Sequence, residues 1–469
     1  MYFPHRVWTG VGLIVLAGCV TFPDDDSLSA VRDSVDETLG KEVVYRHDEQ
    51  ELIARVDDML ADELTLDEAV RIGLLYNRNL QAQFEELGIA RANVAEAAAI
   101  ANPVFGFAVL RPSGGGSADL DFGLVQSFVS IVHRPSRKRL AESAYEASKL
   151  ATTAAAISLA GEIEVAYRIV QTDLQLAEML RQVVDATGVG YEAARRLYAA
   201  GNITRLDLNR EHALYEQARL ALDRAELQVL ADREAMNRLM GLWGERVDWQ
   251  IVDRLPPLPE DVGLVIPGDV ERRIVETSLE LQMRAHRIDA VAQPLGIADR
   301  SQLIPSLEAG VGFERDDGER SAGLIGSYEI PLFNQGQGRV AAAEADLMRE
   351  QNEYWATGVE LRSVARAAHQ ELLRAHVRAT HARDVLVPLT TEIVNESQRQ
   401  FNAMQIGVFE LLNAKRQQID AGVQYIETLR SYWIARSRLQ QFLNGVMPDA
   451  DPQASAMNFA FANSNEGGH

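Results

Sequence analysis

Two stretches of strict apolar alternation, each followed by helical periodicity held over many turns, organise this chain. Phe105, Phe107 and Val109 alternate with smaller residues, then Leu120, Phe122 and Leu124 alternate with Asp121, Gly123 and Val125. Ser113 to Ser117, with three glycines between them, supplies a turn. This predicts a β-hairpin with one apolar face and one small or polar face. The pattern returns where Leu307, Ala309, Val311 and Phe313 alternate with Glu308, Gly310, Gly312 and Glu314. Here Asp316 to Ser321 reads as the turn and Ala322 to Ile330 as the returning strand. After each hairpin the period lengthens. From about Arg137 to Ala199 there is no proline, and the glycines are Gly161, Gly188 and Gly190. Ile163, Val170, Ala177, Val184 and Tyr191 fall seven apart, which predicts a coiled-coil seam. At 1.5 Å per residue, about 60 residues make a rod of roughly 90 Å. Leu206, Ala213, Leu220 and Leu227 carry the same spacing on a return helix, and Leu412, Ile419, Ile426 and Trp433 carry it later.

The two halves are one plan written twice. Pro103 and Pro305 each precede an alternating run, and Arg137 with Ala141-Glu142 recurs 202 residues on as Arg339 with Ala343-Glu344. Tyr198 and Asp207-Leu208 recur as Phe401 and Glu410-Leu411 at 203, and Gly241 recurs as Gly445 at 204. A duplicated unit of this size builds one pseudo-symmetric body rather than a short-repeat solenoid. The predicted organisation is a signal segment at 1–18, an N-terminal arm at 19–63 and a first repeat at 64–244. A linker at 245–270, a second repeat at 271–447 and a disordered tail at 448–469 complete it. The arm is polar and acidic. Thr65, with Glu68 three residues later, reads as a capping box opening the first repeat. Leu255-Pro256-Pro257-Leu258-Pro259 reads as a surface linker.

The net charge of −22 argues against nucleic acid as a partner. It gives either a solubilising acidic surface or, where the charges line a pore, a field that favours cations. Cys19 is the one cysteine, so disulfides and thiolate metal sites within the chain are excluded. It ends a segment with a short basic start (His5, Arg6) and an apolar run from Val7 to Leu16, too short to span a bilayer. Leu16-Ala17-Gly18-Cys19 resembles the lipobox of bacterial lipoproteins, which implies cleavage before Cys19, its lipidation, and an anchor in lipid.

Strand closure then constrains the assembly. Four strands per chain do not close a barrel, and lipid does not tolerate open strand edges. If the hairpins lie in a membrane, several chains share one barrel, and three chains would supply twelve strands above a twelve-helix tube. Against this stands a soluble α+β protein with two surface hairpins.

Ile330-Pro331-Leu332-Phe333-Asn334-Gln335-Gly336, followed by an Ala-rich helix from Arg339, resembles the strand-to-helix signature of TolC-like outer-membrane efflux channels. So do Phe401-Asn402-Ala403-Met404 with Gly407 and Glu410-Leu411-Leu412, and Tyr198-Ala199-Ala200-Gly201 through Asp207-Leu208. The resemblance covers about residues 64 to 447. It implies a mainly α fold with a β-barrel part: duplicated long-helix coiled-coil hairpins plus two β-hairpins per chain. The implied homotrimer forms a 12-strand barrel in the outer membrane on an α-helical periplasmic tunnel. Its implied partners are a periplasmic adaptor and an inner-membrane pump. The first half departs from the signature, with Phe128 to Pro135 in place of the Pro-Leu-Phe-Asn run, and Pro135 is expected to break strand from helix there.

No catalytic constellation emerges: no phosphate-binding glycine loop, metalloprotease helix motif or nucleophile elbow, so no enzyme and no cofactor are expected. His369, His376 and His381 share one predicted helix without the four-residue spacing of helical zinc ligands, and read as solvated or interfacial. By resemblance, the helix turns around Gly201, Asn202 and Ile203, and around Met404, Gln405, Ile406 and Gly407, are the tips where the adaptor docks. Gly201 sits where a left-handed turn is needed, and Asp207 and Glu410 sit where the helix macrodipole favours carboxylates. Glu392 and Glu396, four apart before the second tip, are a gate candidate, against the plainer reading of a solvated face. The function expected is passive conduction in a tripartite efflux system. An exit duct for type I protein secretion, or a periplasmic coiled-coil scaffold without a pore, is the competing reading.

Overall fold

The computed structural model describes residues 27–43, 49–111, 118–261, 267–301, 306–316 and 319–448. The signal segment with Cys19, the first hairpin's turn and the tail from 449 lie outside the described residues. The elements run α1 (Ser27–Leu39), α2 (Glu49–Met59), α3 (Leu66–Tyr76), α4 (Arg78–Ala98), β1 (Val104–Leu110), β2 (Asp119–Ser127), α5 (Val129–Ala199) and α6 (Arg205–Met240). After a 3₁₀ turn at Gly244–Val247 come α7 (Pro267–Thr277), α8 (Leu279–Ser301), β3 (Leu307–Asp316), β4 (Glu319–Tyr328) and α9 (Gln337–His381). A π turn at Ala382–Leu386 leads into α10 (Val387–Asn402), and α11 (Val408–Leu443) closes the series. The order from α7 onward repeats that from α3: two helices, two strands, then two long helical segments, the first of them broken in the second set.

The chain divides into two compact units. One comprises Glu85–Leu150 and Gln282–Ala356, and holds the sheet. Its four strands pair antiparallel in the order β1-β2-β3-β4, so the two hairpins join through β2 and β3. Residues directly opposite across an antiparallel ladder share a face. The register therefore aligns Phe107, Phe122, Phe313 and Ala322 in one row, and Phe105, Leu124, Val311 and Leu324 in the next. On the other face Gly106, Gly123, Gly312 and Gly323 form a row of four glycines across all the strands. Helical parts of this unit hold Glu350, which is buried with its carboxylate 3.3 Å from the Arg287 guanidinium and 3.1 Å from that of Arg349.

The described part of the other unit covers Leu28–Phe84, Ala151–Leu281 and 357–448. Its core gathers Leu64, Ile72, Leu74 and Phe84 with Ile157, Ile163, Met236, Met240, Ile274 and Tyr432. The capping box at Thr65 is present: the Glu68 amide donates to the Thr65 hydroxyl, and the Thr65 amide donates to the Glu68 carboxylate at 2.9 Å. On α5 the seam is fully buried at Ile163 and Val170. On α6, by contrast, Leu206, Leu220 and Leu227 are each nearly 60 % exposed (59 %, 58 % and 59 %). That heptad finds no cover among the described residues.

Several expectations change. Pro135 does not separate strand from helix: α5 starts at Val129 and includes it. The Phe128 carbonyl already accepts from the Ile131 and Val132 amides, and Pro135 so near the start removes a single helical donor. The second turn is shorter than Asp316 to Ser321, because pairing continues through Arg315↔Arg320 to Asp316↔Glu319. The π turn is also new. Pro388 lacks an N–H and would press on the carbonyl one turn back, and the wider turn just before it takes up the strain.

The segment from 249 to 259 is a packed strap rather than a loose surface linker. Trp249, Ile251, Leu255 and Leu258 are buried. The Gln171 side chain of α5 donates to the Val252 and Arg254 carbonyls at 2.9 and 3.1 Å. The Trp433 indole of α11 donates to the Pro256 carbonyl at 3.0 Å, and His376 Nε2 of α9 lies 3.0 Å from the Pro259 carbonyl. The expected arm also contains two helices, α1 and α2, with Val31, Val35 and Val56 buried.

Candidate functional site

Four helix ends in the second unit stop by the same backbone device. After α5, the Gly201 amide donates to the Tyr198 carbonyl and the Asn202 amide to that of Leu197, each at 2.9 Å. After α10, the Met404 amide donates to Phe401 and the Gln405 amide to Gln400, again at 2.9 Å. Gly241 and Gly445 end α6 and α11 with the same pair of bonds. The device needs a left-handed residue, and φ is +76° at Gly201, +74° at Gly241, +90° at Gly445 and +58° at Met404. Met404 is the non-glycine of the four. A side chain in that region costs about 1–2 kcal/mol. Nothing packs on Met404 to offset it, for it is 94 % exposed.

The two ends at Gly241 and Gly445 are closed by neighbours. A Cβ on Gly241 would lie 2.9 Å from the Tyr76 carbonyl at the end of α3, and one on Gly445 would lie 2.4 Å from the Thr277 carbonyl at the end of α7. The ends at Gly201 and Met404 are open, with nothing within 4 Å of a Cβ at Gly201. The helices that start beyond these two open ends are capped differently. Thr204 caps α6 and forms a capping box with Asp207, whose carboxyl is held below its usual range first by the Thr204 hydroxyl and then by the Thr204 amide. Gly407 caps α11 without a side chain, and Glu410 at the matching position has no hydroxyl to meet. The sequence marked both tips. Only the backbone reveals that one is strained and uncapped.

The other candidates separate. Glu392 and Glu396 are exposed on α10, and the Glu396 carboxylate is 3.3 Å from the Arg399 guanidinium. His369 is buried, His381 is exposed, and His376 packs edge-on against Tyr432 with ring centres 5.5 Å apart. Among the described residues no cluster of three or more His, Cys, Asp or Glu has the arrangement to hold a metal. No helix among the described residues is long and apolar enough to cross a membrane. Sequence reading missed a buried acid. Asp173 on α5 is 5 % exposed, with its carboxylate 3.6 Å from the Arg430 guanidinium of α11. Burial first, and the adjoining Asp232 carboxyl of α6 second, push it up to about 7 against the pull of Arg430.

Residues 73–242 match the family model described as Outer membrane efflux protein. That stretch, about a third of the chain, is similar to this family. The chain is 22 % identical over 393 residues to the cobalt-zinc-cadmium resistance protein CzcC of Cupriavidus metallidurans, spanning 82 % of this chain and 90 % of the relative. Its fold matches the Campylobacter jejuni outer membrane channel CmeC at 15 % identity, with a TM-score of 0.68 over 84 % of this chain and 88 % of that one. The outer-membrane channel OprN matches at 16 % identity with the same TM-score of 0.68, over 91 % and 99 % of the two chains. The mainly helical fold with a small antiparallel sheet is thus that of the outer-membrane channels.

Proposed function

We propose that three copies of this chain form the outer-membrane duct of a tripartite efflux system. The observation that carries this is the four-stranded sheet. Its edge strands β1 and β4 each have a single strand neighbour among the described residues, and its phenylalanine rows stand exposed, Phe107 by 71 %. Such a sheet is stable in lipid only if its edges are joined, and three copies joined edge to edge make a ring of twelve strands. The exposed leucines of α6 would then meet a neighbouring copy. Repeats at 64–244 and 271–447 would each give one hairpin and one long helical pair to the ring. Lipidation at Cys19 would anchor the mature N-terminus to the membrane.

The open turns at Gly201 to Ile203 and Met404 to Gly407, with Asp207 and Glu410 just behind them, receive a periplasmic adaptor that links to an inner-membrane pump. Two open helix ends per chain support this docking role. Replacing Gly201 and Gly407 by bulky residues should abolish adaptor capture while heat-resistant trimers persist; intact capture would sink the docking assignment. Glu392 and Glu396 act as a gate on the same helix. Cations are the favoured cargo, supported by the −22 net charge and by the likeness to a protein named for cobalt, zinc and cadmium resistance. The deciding experiment is single-channel conductance in planar bilayers, paired with the metal sensitivity of a deletion strain. Conductance with unchanged metal tolerance would leave the duct and remove the cargo, and no conductance from intact trimers would favour a scaffold.

A further inference from the structure

Two turns behind the tips, α5, α6 and α11 enclose a cavity of about 560 Å³. Its walls are apolar: Val183 and Ala186 from α5, Leu214 from α6, and Phe409, Leu412 and Ile419 from α11. Gly190 opens it. This glycine lies inside α5 with no left-handed φ, where it costs about 1 kcal/mol relative to alanine, so the backbone does not explain it. A Cβ there would sit 3.1 Å from Leu412 Cδ1 and 3.4 Å from Glu211 Oε2, against the cavity wall. The volume falls in the range that holds drug-sized ligands.

The charge around the opening is unlike that of the rest of the chain. Arg210, Lys415 and Arg416 line it with one acid, Glu211, and Arg210 also lies 3.8 Å from the Asp207 carboxylate just outside, which leaves a cationic excess in a protein whose net charge is −22. Burial raises the Glu211 carboxyl and Arg416 pulls it back, so this acid is the cavity's least comfortable charge. A cationic guest would face Lys415 and Arg416, with Arg210 held by Asp207, to gain one partner. An anionic guest meets the excess. We propose that the cavity is a binding site for a small amphipathic organic anion, an apolar body of medium-chain fatty acid or aromatic size carrying one carboxylate or sulfonate. Bound there, it ties the α5–α6 pair of the first repeat to α11 of the second.

The site is independent of whether the chain conducts, and binding alone tests it. The full-length protein in lipid nanodiscs is titrated with 8-anilinonaphthalene-1-sulfonate, read by fluorescence, with decanoate as competitor. One saturable site per chain is expected. Gly190→Phe should remove it by filling the cavity. Arg416→Glu should weaken it roughly tenfold or more, the scale of losing a charged hydrogen-bond partner. Glu211→Gln, at a half-buried position, should tighten it several-fold. Should Gly190→Phe fail to fold, the two charge variants still decide. Affinity unchanged in both, or weakened by Glu211→Gln, overturns the proposal.

Discussion

Replacing Asp173 by asparagine should make the helical unit more stable at neutral and alkaline pH. The wild-type carboxyl is 5 % exposed and raised from 3.8 to about 7, chiefly by burial and then by Asp232. The folded chain therefore keeps a proton that the unfolded chain releases near pH 4. Its contribution is undiminished below about pH 4, falls between pH 4 and 7, and stays low above that. At 1.36 kcal/mol per pH unit the interval is worth about 4 kcal/mol at most, and about 2 kcal/mol once residual solvation of the group is discounted. Asparagine keeps the shape and a donor toward Asp232 but cannot ionise. Guanidinium denaturation followed by helical circular dichroism at pH 5 and pH 8 is the assay. Wild type should lose stability between the two pH values by about 1 kcal/mol, and Asp173→Asn should lose little. If Asp173→Asn is instead less stable than wild type at pH 8, Asp173 is an ionised partner of Arg430 and the reasoning fails.

Met404→Gly should raise stability by about 1 kcal/mol by removing the left-handed strain, read as a higher melting temperature of the helices. No gain would mean the turn is not under strain in solution. Gly310→Val should prevent sheet assembly, because a Cβ there would lie 2.2 Å from the Leu124 carbonyl. Loss of heat-resistant trimers on gels checks it, and normal trimer yield would contradict the register. Glu396→Gln should lower single-channel cation preference if α10 carries the gate, and a channel matching wild type in rate and selectivity removes that assignment.

The alternating rows were legible because a strand with one apolar face leaves no other reading for Phe105-Gly106-Phe107, and the register then pairs those rows across all four strands. The Thr65 capping box and the left-handed Gly201 were legible for the same kind of reason: local chemistry settles them. The joining of the hairpins through β2 and β3 was not, since no residue pattern states which strands of two distant hairpins pair. The strap was hidden by its prolines, which look like linker composition until Trp249 and Leu258 are seen buried. Met404 is the clearest case. Its sequence neighbours are ordinary, and its φ arises from a turn geometry that the duplicate builds with glycine. The cavity is likewise a product of three helices from both repeats.

The strap also divides the helices mechanically. It holds α5 at Gln171, α9 at His376 and α11 at Trp433, and from these points each helical line runs about 40 Å to its tip. It is a fulcrum placed at matching distances on three levers. A tilt of about 10° of these arms at the strap would carry a tip about 7 Å. Tip opening is then a demand that the helical arms beyond the strap can meet while the strap's own contacts at Gln171, His376 and Trp433 are kept.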